Sequence, residues 1–308
     1  MAGLYHKFRT SKRTGLPAPV VISRLRAMRY FLILIVALLV ACGSGLSQSP
    51  VVKQLAEVGE TVLDLALPER PESEAADAPA KSPFLPPRLV SGKNEVGHRD
   101  FADAKKVLPK VFAGLEEDFY CGCRYAGKTV DFASCGYQPR KNPARASRIE
   151  WEHIVPAWAI GHQRQCWQQG GRKHCSKSDP VFQAAEGDLN NLVPAVGEVN
   201  GDRSNFSYGA WTRNPAPMYG ACRTIIDFNL KRVQPREEVR GRVARITLYV
   251  HETYALEMSR QDRQLMCAWA RTYPVDDWER ERNARIVRWQ GAGNPFVAEP
   301  ARLQAVCP

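Results

Sequence analysis

The 308-residue sequence has no CxxC pair, no internal repeat and no apolar run long enough to cross a bilayer. Each absence removes a class of protein. The one long apolar run, YFLILIVALLV from Tyr30 to Val40, has eleven residues, whereas a membrane helix needs about 20. A multi-span membrane protein is excluded. Without CxxC pairs, and with the CxC at Cys121 and Cys123 unmatched elsewhere, the nine cysteines suit structural zinc poorly. A hydrophobic fraction of 44% also argues against a wholly disordered or collagen-like chain. Acidic residues are missing from positions 1–41, which carry seven Lys/Arg. Residues 43–96 carry five basic against eight acidic residues, and 97–308 carry 31 against 24. The last region therefore keeps most of the lasting positive charge, which is compatible with a polyanionic partner without requiring one.

A basic flank ending at Arg29, a short apolar core and small residues after it describe a secretory signal. Leu39-Val40-Ala41-Cys42-Gly43 resembles the lipobox of bacterial lipoproteins, in which the cysteine is acylated; a plain cleavage after alanine is the alternative. Met28 would give a more typical signal length than Met1 and is a candidate true start. Residues 1–41 are thus expected to be a signal peptide. Residues 42–96, with PERPESEAADAPAKSPFLPP, should form a lipidated flexible tether with a short helix over 51–67. One acyl chain anchors only marginally, so stable attachment to an outer membrane would need several. Setting Cys42 aside leaves Cys121, Cys123, Cys135, Cys166, Cys175, Cys222, Cys267 and Cys307. An even set in an exported chain reads as four disulfides.

Residues 97–308 read as one α+β domain with more helix than strand. Helical spacing of apolar residues runs over 101–119, 243–256, 261–273 and 278–289, while 128–132 and 147–155 have strand character. Cys166 and Cys175 bracket a Gly-Gly turn, an excursion that a disulfide would pin. Pro194 followed by AVGEVN and Gly201 predicts a short helix with proline in its first turn and glycine near its end.

Two polar clusters stand out: Glu150-Trp151-Glu152-His153 with Arg164 and Arg172-Lys173-His174, and Asp188-Leu189-Asn190-Asn191 with Glu198 to Arg203. Cleaving a phosphodiester requires a base for water, a holder for the extra charge on phosphorus, and stabilisation of the departing oxygen. Histidine suits the first task. A hard cation bound by carboxylate and amide oxygens suits the others. Neighbouring residues on a regular strand face opposite ways, so Glu152 and His153 can converge only where a strand ends. From spacing alone His153 reads first as a packed core histidine, Arg172 as a solvated loop charge and Glu150 as a surface partner for an arginine, while Asn200-Gly201 serves equally well as a helix terminator.

The strings RIEWEHIVPAWAIGHQRQCW, GGRKHC, DLNNLVPAVGEVNGDRSNF and WERERNARIVRWQGAGNPFV are similar to those of bacterial endonuclease I, the periplasmic and secreted deoxyribonucleases of the ββα-metal (His-Me finger) superfamily. The likeness spans roughly 101–307. It implies a ββα-metal core surrounded by helices and braced by disulfides, with Cys166–Cys175 the first pairing to expect. It implies His153 as general base, Glu152 and Asn200 as ligands of one divalent cation, Arg172 on the phosphate, and Asn191 holding the finger together. Mg²⁺ is the implied cation, with Ca²⁺ and Mn²⁺ as alternatives. The implied activity is sequence-nonspecific cleavage of double- and single-stranded DNA, with RNA a second candidate substrate, leaving 5′-phosphate ends. A monomer is expected, periplasmic or anchored to the outer membrane, with a secreted form as an alternative. A non-catalytic DNA-binding lipoprotein on the same fold is the rival reading. One departure, Ala292 where the family usually has asparagine, falls away from the finger and bears on packing at a helix end.

Overall fold

The computed structural model describes residues 88–91, 95–211 and 215–307. The expected signal peptide, Cys42 and the short helix of the tether lie outside them. In chain order the elements are α1 (Phe101–Val111), β1 (Tyr125–Ala126), β2 (Thr129–Val130), α2 (Pro143–Ala146), β3 (Ile149–His153), α3 (Ala157–Gly161), α4 (Gln165–Ser178) and α5 (Pro180–Glu186). There follow β4 (Leu192–Val196), α6 (Gly197–Arg203), β5 (Ser207–Tyr208), β6 (Ile225–Asp227), β7 (Arg232–Gln234), α7 (Arg240–Thr253), α8 (Arg260–Thr272), α9 (Asp277–Gln290), α10 (Pro295–Ala298) and α11 (Leu303–Val306). This is an α+β fold of many helices and three small sheets. No helix among the described residues is long and apolar enough to cross a membrane.

The central feature is β3 paired antiparallel with β4, in the register His153 to Leu192, Glu152 to Val193 and Trp151 to Pro194. Helix α6 follows β4 directly and packs on both strands. All five residues of β4 are buried, as a strand covered on both faces requires. Around this unit, α7 packs along α8, and α9 lies against α1. Helix α1 buries Ala104, Val107, Leu108 and Val111, the spacing of one helical face.

Several boundaries differ from those expected, each for a local reason. Pro194 sits in β4 and not in the helix. Its carbonyl accepts from Phe119 N–H at 2.9 Å on the edge away from β3. The position thus has no hydrogen bond to give to β3, and a proline is tolerated there. Asn200 and Gly201 lie inside α6, which ends only at Ser204, whose φ is 53°. Gly201 serves close approach: a Cβ there would lie 2.1 Å from the Arg145 guanidinium, which crosses the helix at that point. Helix α1 stops at Val111, after Pro109 has removed a backbone donor in its last turn. The strand expected over 128–132 shrinks to Thr129–Val130, because Asp131 caps a 3₁₀ turn by accepting from Ser134 N–H.

All eight cysteines of the domain pair, as Cys121–Cys222, Cys123–Cys135, Cys166–Cys175 and Cys267–Cys307. The end of α9 is closed by Gly291 in the left-handed region, donating back to Val287 O. Ala292 contributes only its carbonyl, which accepts from Asn190 Nδ2 at 3.4 Å.

Candidate active site

A cleft of about 520 Å³ opens beside the end of β3, and Glu152, His153, Arg172, Asn200 and Arg203 all line it. His153 is the last residue of its strand. There the alternation of faces breaks, so its ring and the Glu152 carboxylate can border one cavity.

Each side chain is held in one orientation. His153 Nε2 lies 2.7 Å from the carbonyl of Glu186. A carbonyl only accepts, so the proton sits on Nε2 and the lone pair on Nδ1. Burial, reinforced by the nearby Arg172 and Arg203 charges, pushes the His153 pKa down to about 3. The ring is therefore neutral at physiological pH, with its Nδ1 lone pair unprotonated. Phe101 packs against it with ring centroids 4.8 Å apart.

Glu152 is buried, and Oε1 accepts from Tyr120 OH at 3.1 Å and Arg203 Nη1 at 2.7 Å. Burial raises its pKa, while Arg203 and Tyr120 oppose the rise. Arg203 itself is almost fully buried. It also donates to His153 O and Ile154 O, at 2.6 and 2.5 Å. One guanidinium thus fixes both the carboxylate and the backbone that carries the histidine.

Asn200, on α6, gives Nδ2 to Glu150 Oε2 at 3.1 Å. Because a carboxylate only accepts, this bond settles which end of the amide is oxygen. Oδ1 has no hydrogen-bond partner among the described residues. Glu150 also receives Arg145 Nε and Nη2, at 3.0 and 2.7 Å, and Arg148 Nη2 at 3.0 Å. It is the partner of arginines that its sequence neighbourhood suggested, and it orients Asn200 as well.

Arg172 follows a kink in α4 where Gly171 adopts φ 65° and breaks the helical path. The Cys166–Cys175 disulfide spans that kink. Arg172 Nε is anchored to Glu186 Oε1 at 2.5 Å, and the guanidinium lies over Phe101, 5.5 Å from the ring centroid. Its two terminal nitrogens have no hydrogen-bond partner among the described residues, and the half-exposed group borders the cleft. Asn191 lies behind the cleft: its Oδ1 accepts from Val155 N–H at 2.8 Å and its Nδ2 donates to Val155 O at 2.9 Å. That amide clamps the segment leaving β3 to the segment entering β4.

The oxygen donors bordering the cleft are the Glu152 carboxylate, the Glu150 carboxylate held by its arginines, and the Asn200 amide oxygen, a hard set that fits Mg²⁺, Ca²⁺ or Mn²⁺. Among the described residues there is no group of three or more His, Cys, Asp or Glu placed to hold a metal ion. Two protein ligands would leave most of a cation's positions to water and phosphate.

The model of the Endonuclease I family matches residues 113–301. This chain belongs to the Endonuclease I family. An extracellular deoxyribonuclease of Aeromonas hydrophila is 52% identical over 202 residues, covering 64% of this chain and 87% of the relative. A periplasmic deoxyribonuclease of the same organism is 51% identical, covering 64% and 84%. Endonuclease-1 of Buchnera aphidicola is 44% identical, covering 64% and 80%. In this Endonuclease I chain, sequence reasoning missed the site's supports: Phe101, Tyr120, Glu186, Tyr208 and the function of Arg203. Tyr120 and Tyr208 share a hydroxyl–hydroxyl contact of 2.7 Å, 88 residues apart in sequence. No local pattern signals a contact at that range.

Proposed function

We propose that the chain is an exported, metal-dependent endonuclease that hydrolyses DNA without sequence preference. The observation that carries this is the meeting of His153, Glu152, Asn200 and Arg172 on one cleft in a member of the Endonuclease I family. Relatives named as extracellular and periplasmic deoxyribonucleases support both the substrate and export.

In this reading His153 Nδ1 takes a proton from water as the oxygen attacks phosphorus. The P–O3′ bond breaks, the departing oxygen takes a proton from solvent water, and a 5′-phosphate and a 3′-hydroxyl are left. Arg172, anchored through Nε, directs its terminal nitrogens at the phosphate. Glu152 and Asn200 would hold a divalent cation, which when bound supplies charge for the phosphorane oxygens and the departing 3′ oxygen. Nonspecificity follows where contacts go to phosphate, which carries no direct sequence information. Cys42 would carry the lipid, and the acidic tether would space the domain from the outer membrane.

The test is plasmid nicking by the purified, oxidised chain with Mg²⁺ or with EDTA, beside His153→Ala. We expect metal-dependent cleavage that falls about 10²- to 10⁴-fold in the variant while DNA binding persists. Binding without cleavage under Mg²⁺, Ca²⁺ and Mn²⁺ would sink the nuclease reading and favour a DNA-capture protein.

A further inference from the structure

A second cavity, of about 680 Å³, shares Pro156, Trp158 and Arg203 with the cleft as walls. The rest of its lining comes from the segment after β3, from α3 and the start of α4, from Asp179 before α5, from β5, and from α7, α8 and the stretch that joins them. Its volume is that of a small-molecule site.

Most of its charges are matched, the exception being the Glu257 carboxylate, which has no ion-pair partner among the described residues. Arg164 is held by Asp179 at 2.6 and 2.9 Å, Arg203 by Glu152 at 2.7 Å, and Asp262 by Arg232 at 2.5 Å. Arg172 in the cleft is ion-paired too, to Glu186, but through Nε, which leaves its terminal nitrogens for a phosphate, whereas Arg164 and Arg203 each spend a terminal nitrogen on a carboxylate. The surface is mixed, with Leu256, Met258 and Met266 supplying apolar area beside polar groups such as Ser207 and Tyr208. At the shared wall Trp158 is 45% exposed and stacks on His162, ring centroids 3.8 Å apart and 6° from parallel. Two buried polar atoms of its lining residues lack a hydrogen-bond partner among the described residues, Arg203 Nε and the Thr247 hydroxyl. Thr247 borders this cavity.

A cavity with apolar walls, polar groups between them and an exposed indole at its mouth suits a neutral, flat group with hydrogen-bonding atoms on its edge; attached to a phosphodiester held next door, such a group is a nucleobase. We propose that this cavity is a nucleobase subsite that takes one unstacked base of the strand whose phosphate occupies the Glu152–His153 cleft. The inference rests on the nuclease reading and deepens it. A paired base must leave its stack to enter, which costs free energy. Single-stranded DNA has no pairing to give up and gains most.

The test uses the oxidised full chain with Mg²⁺ and two single-stranded substrates of equal length. One is an ordinary oligodeoxynucleotide; the other is built of abasic tetrahydrofuran residues and keeps only the phosphodiester backbone. Wild type should show a KM about tenfold lower for the ordinary strand, consistent with base–aromatic stacking. Met258→Trp, which fills the cavity mouth, should close most of that difference. Thr247→Val should raise the KM for the ordinary strand about fivefold, the effect of one lost hydrogen bond. It should also raise Tm, because it removes a buried unpaired hydroxyl. A merely structural threonine would move Tm and leave KM alone. Equal KM values for the two strands in wild type, or a ratio unchanged within twofold in both variants, would overturn the subsite while leaving the nuclease standing. Cleavage of neither strand nor plasmid by wild type would overturn both readings together.

Discussion

Glu150 touches no part of the proposed reaction, yet its carboxylate decides which way the Asn200 amide faces. Glu150→Gln would place an NH₂ among four donors, and the Asn200 amide could then turn its oxygen away from the cleft. We expect the Mg²⁺ concentration for half-maximal cleavage to rise about tenfold, as outer-shell changes do at other metal sites. An unchanged cation titration would remove Glu150 from this role. The same residue shows what could be read locally. Its arginine partners stand five and two positions before it, within reach of a sequence argument. Arg203 was visible only as a charge at the end of a polar run. Its hold on Glu152 spans 51 residues and depends on α6 folding back over β3. For His153, spacing favours a packed ring over a base, and only the family resemblance turns the reading toward chemistry. The structure shows why both descriptions apply: the ring is buried and still borders the cleft.

Helix α4 owes its shape to Gly170 and Gly171 and keeps it through the disulfide across them. Replacing Cys166 and Cys175 with serine should cost about 3 kcal/mol by loop-closure entropy for so short a loop. It should also free the turn that aims Arg172, so that cleavage falls more than tenfold at temperatures where the variant stays folded by circular dichroism. Activity that tracks only the folded fraction would contradict the positioning role. Helix α6 is fastened from its other face by Glu198, which accepts from Tyr137 OH and from the backbone N–H groups of Arg140, Lys141 and Asn142. Desolvation alone would raise the Glu198 pKa, but those donors together bring it below the usual value. Its stabilisation is therefore complete above about pH 4.5, the ordinary glutamate range, and is lost as pH falls through the lowered value. Glu198→Gln should lower Tm at pH 7, and the gap should narrow in acid; a constant gap would refute the assignment. At this scale the long helices were legible because their apolar faces repeat regularly. Expected spans over 243–256, 261–273 and 278–289 meet observed helices Arg240–Thr253, Arg260–Thr272 and Asp277–Gln290. Pro194 misled because its tolerance depends on which edge of β4 faces β3, a fact of pairing that composition does not carry.

At the scale of the molecule, Cys121–Cys222 ties residues 101 apart, a closure worth about 5 kcal/mol in the chain-entropy view. Strong reductant should abolish activity by unfolding the domain, and full activity with all eight thiols free would show the bridges to be dispensable. DNA binding should weaken linearly with log salt as phosphate contacts release counterions; a flat dependence would count against a phosphate-led interface. The segment preceding β4 is fixed from far downstream. Asp188 accepts from Tyr249 and Tyr254 at 2.8 and 2.7 Å and from Gln290 at 2.8 Å. Arg282 donates to the carbonyls of Leu189, Asn190 and Leu192. On the ribosome, the residues assigned to chemistry are complete at Arg203, long before Arg282 and Gln290 are added. A nascent chain thus contains every reactive group of the cleft while lacking the contacts that set them in register. Synthesis order itself delays the hazard of making a nuclease until the chain is nearly finished.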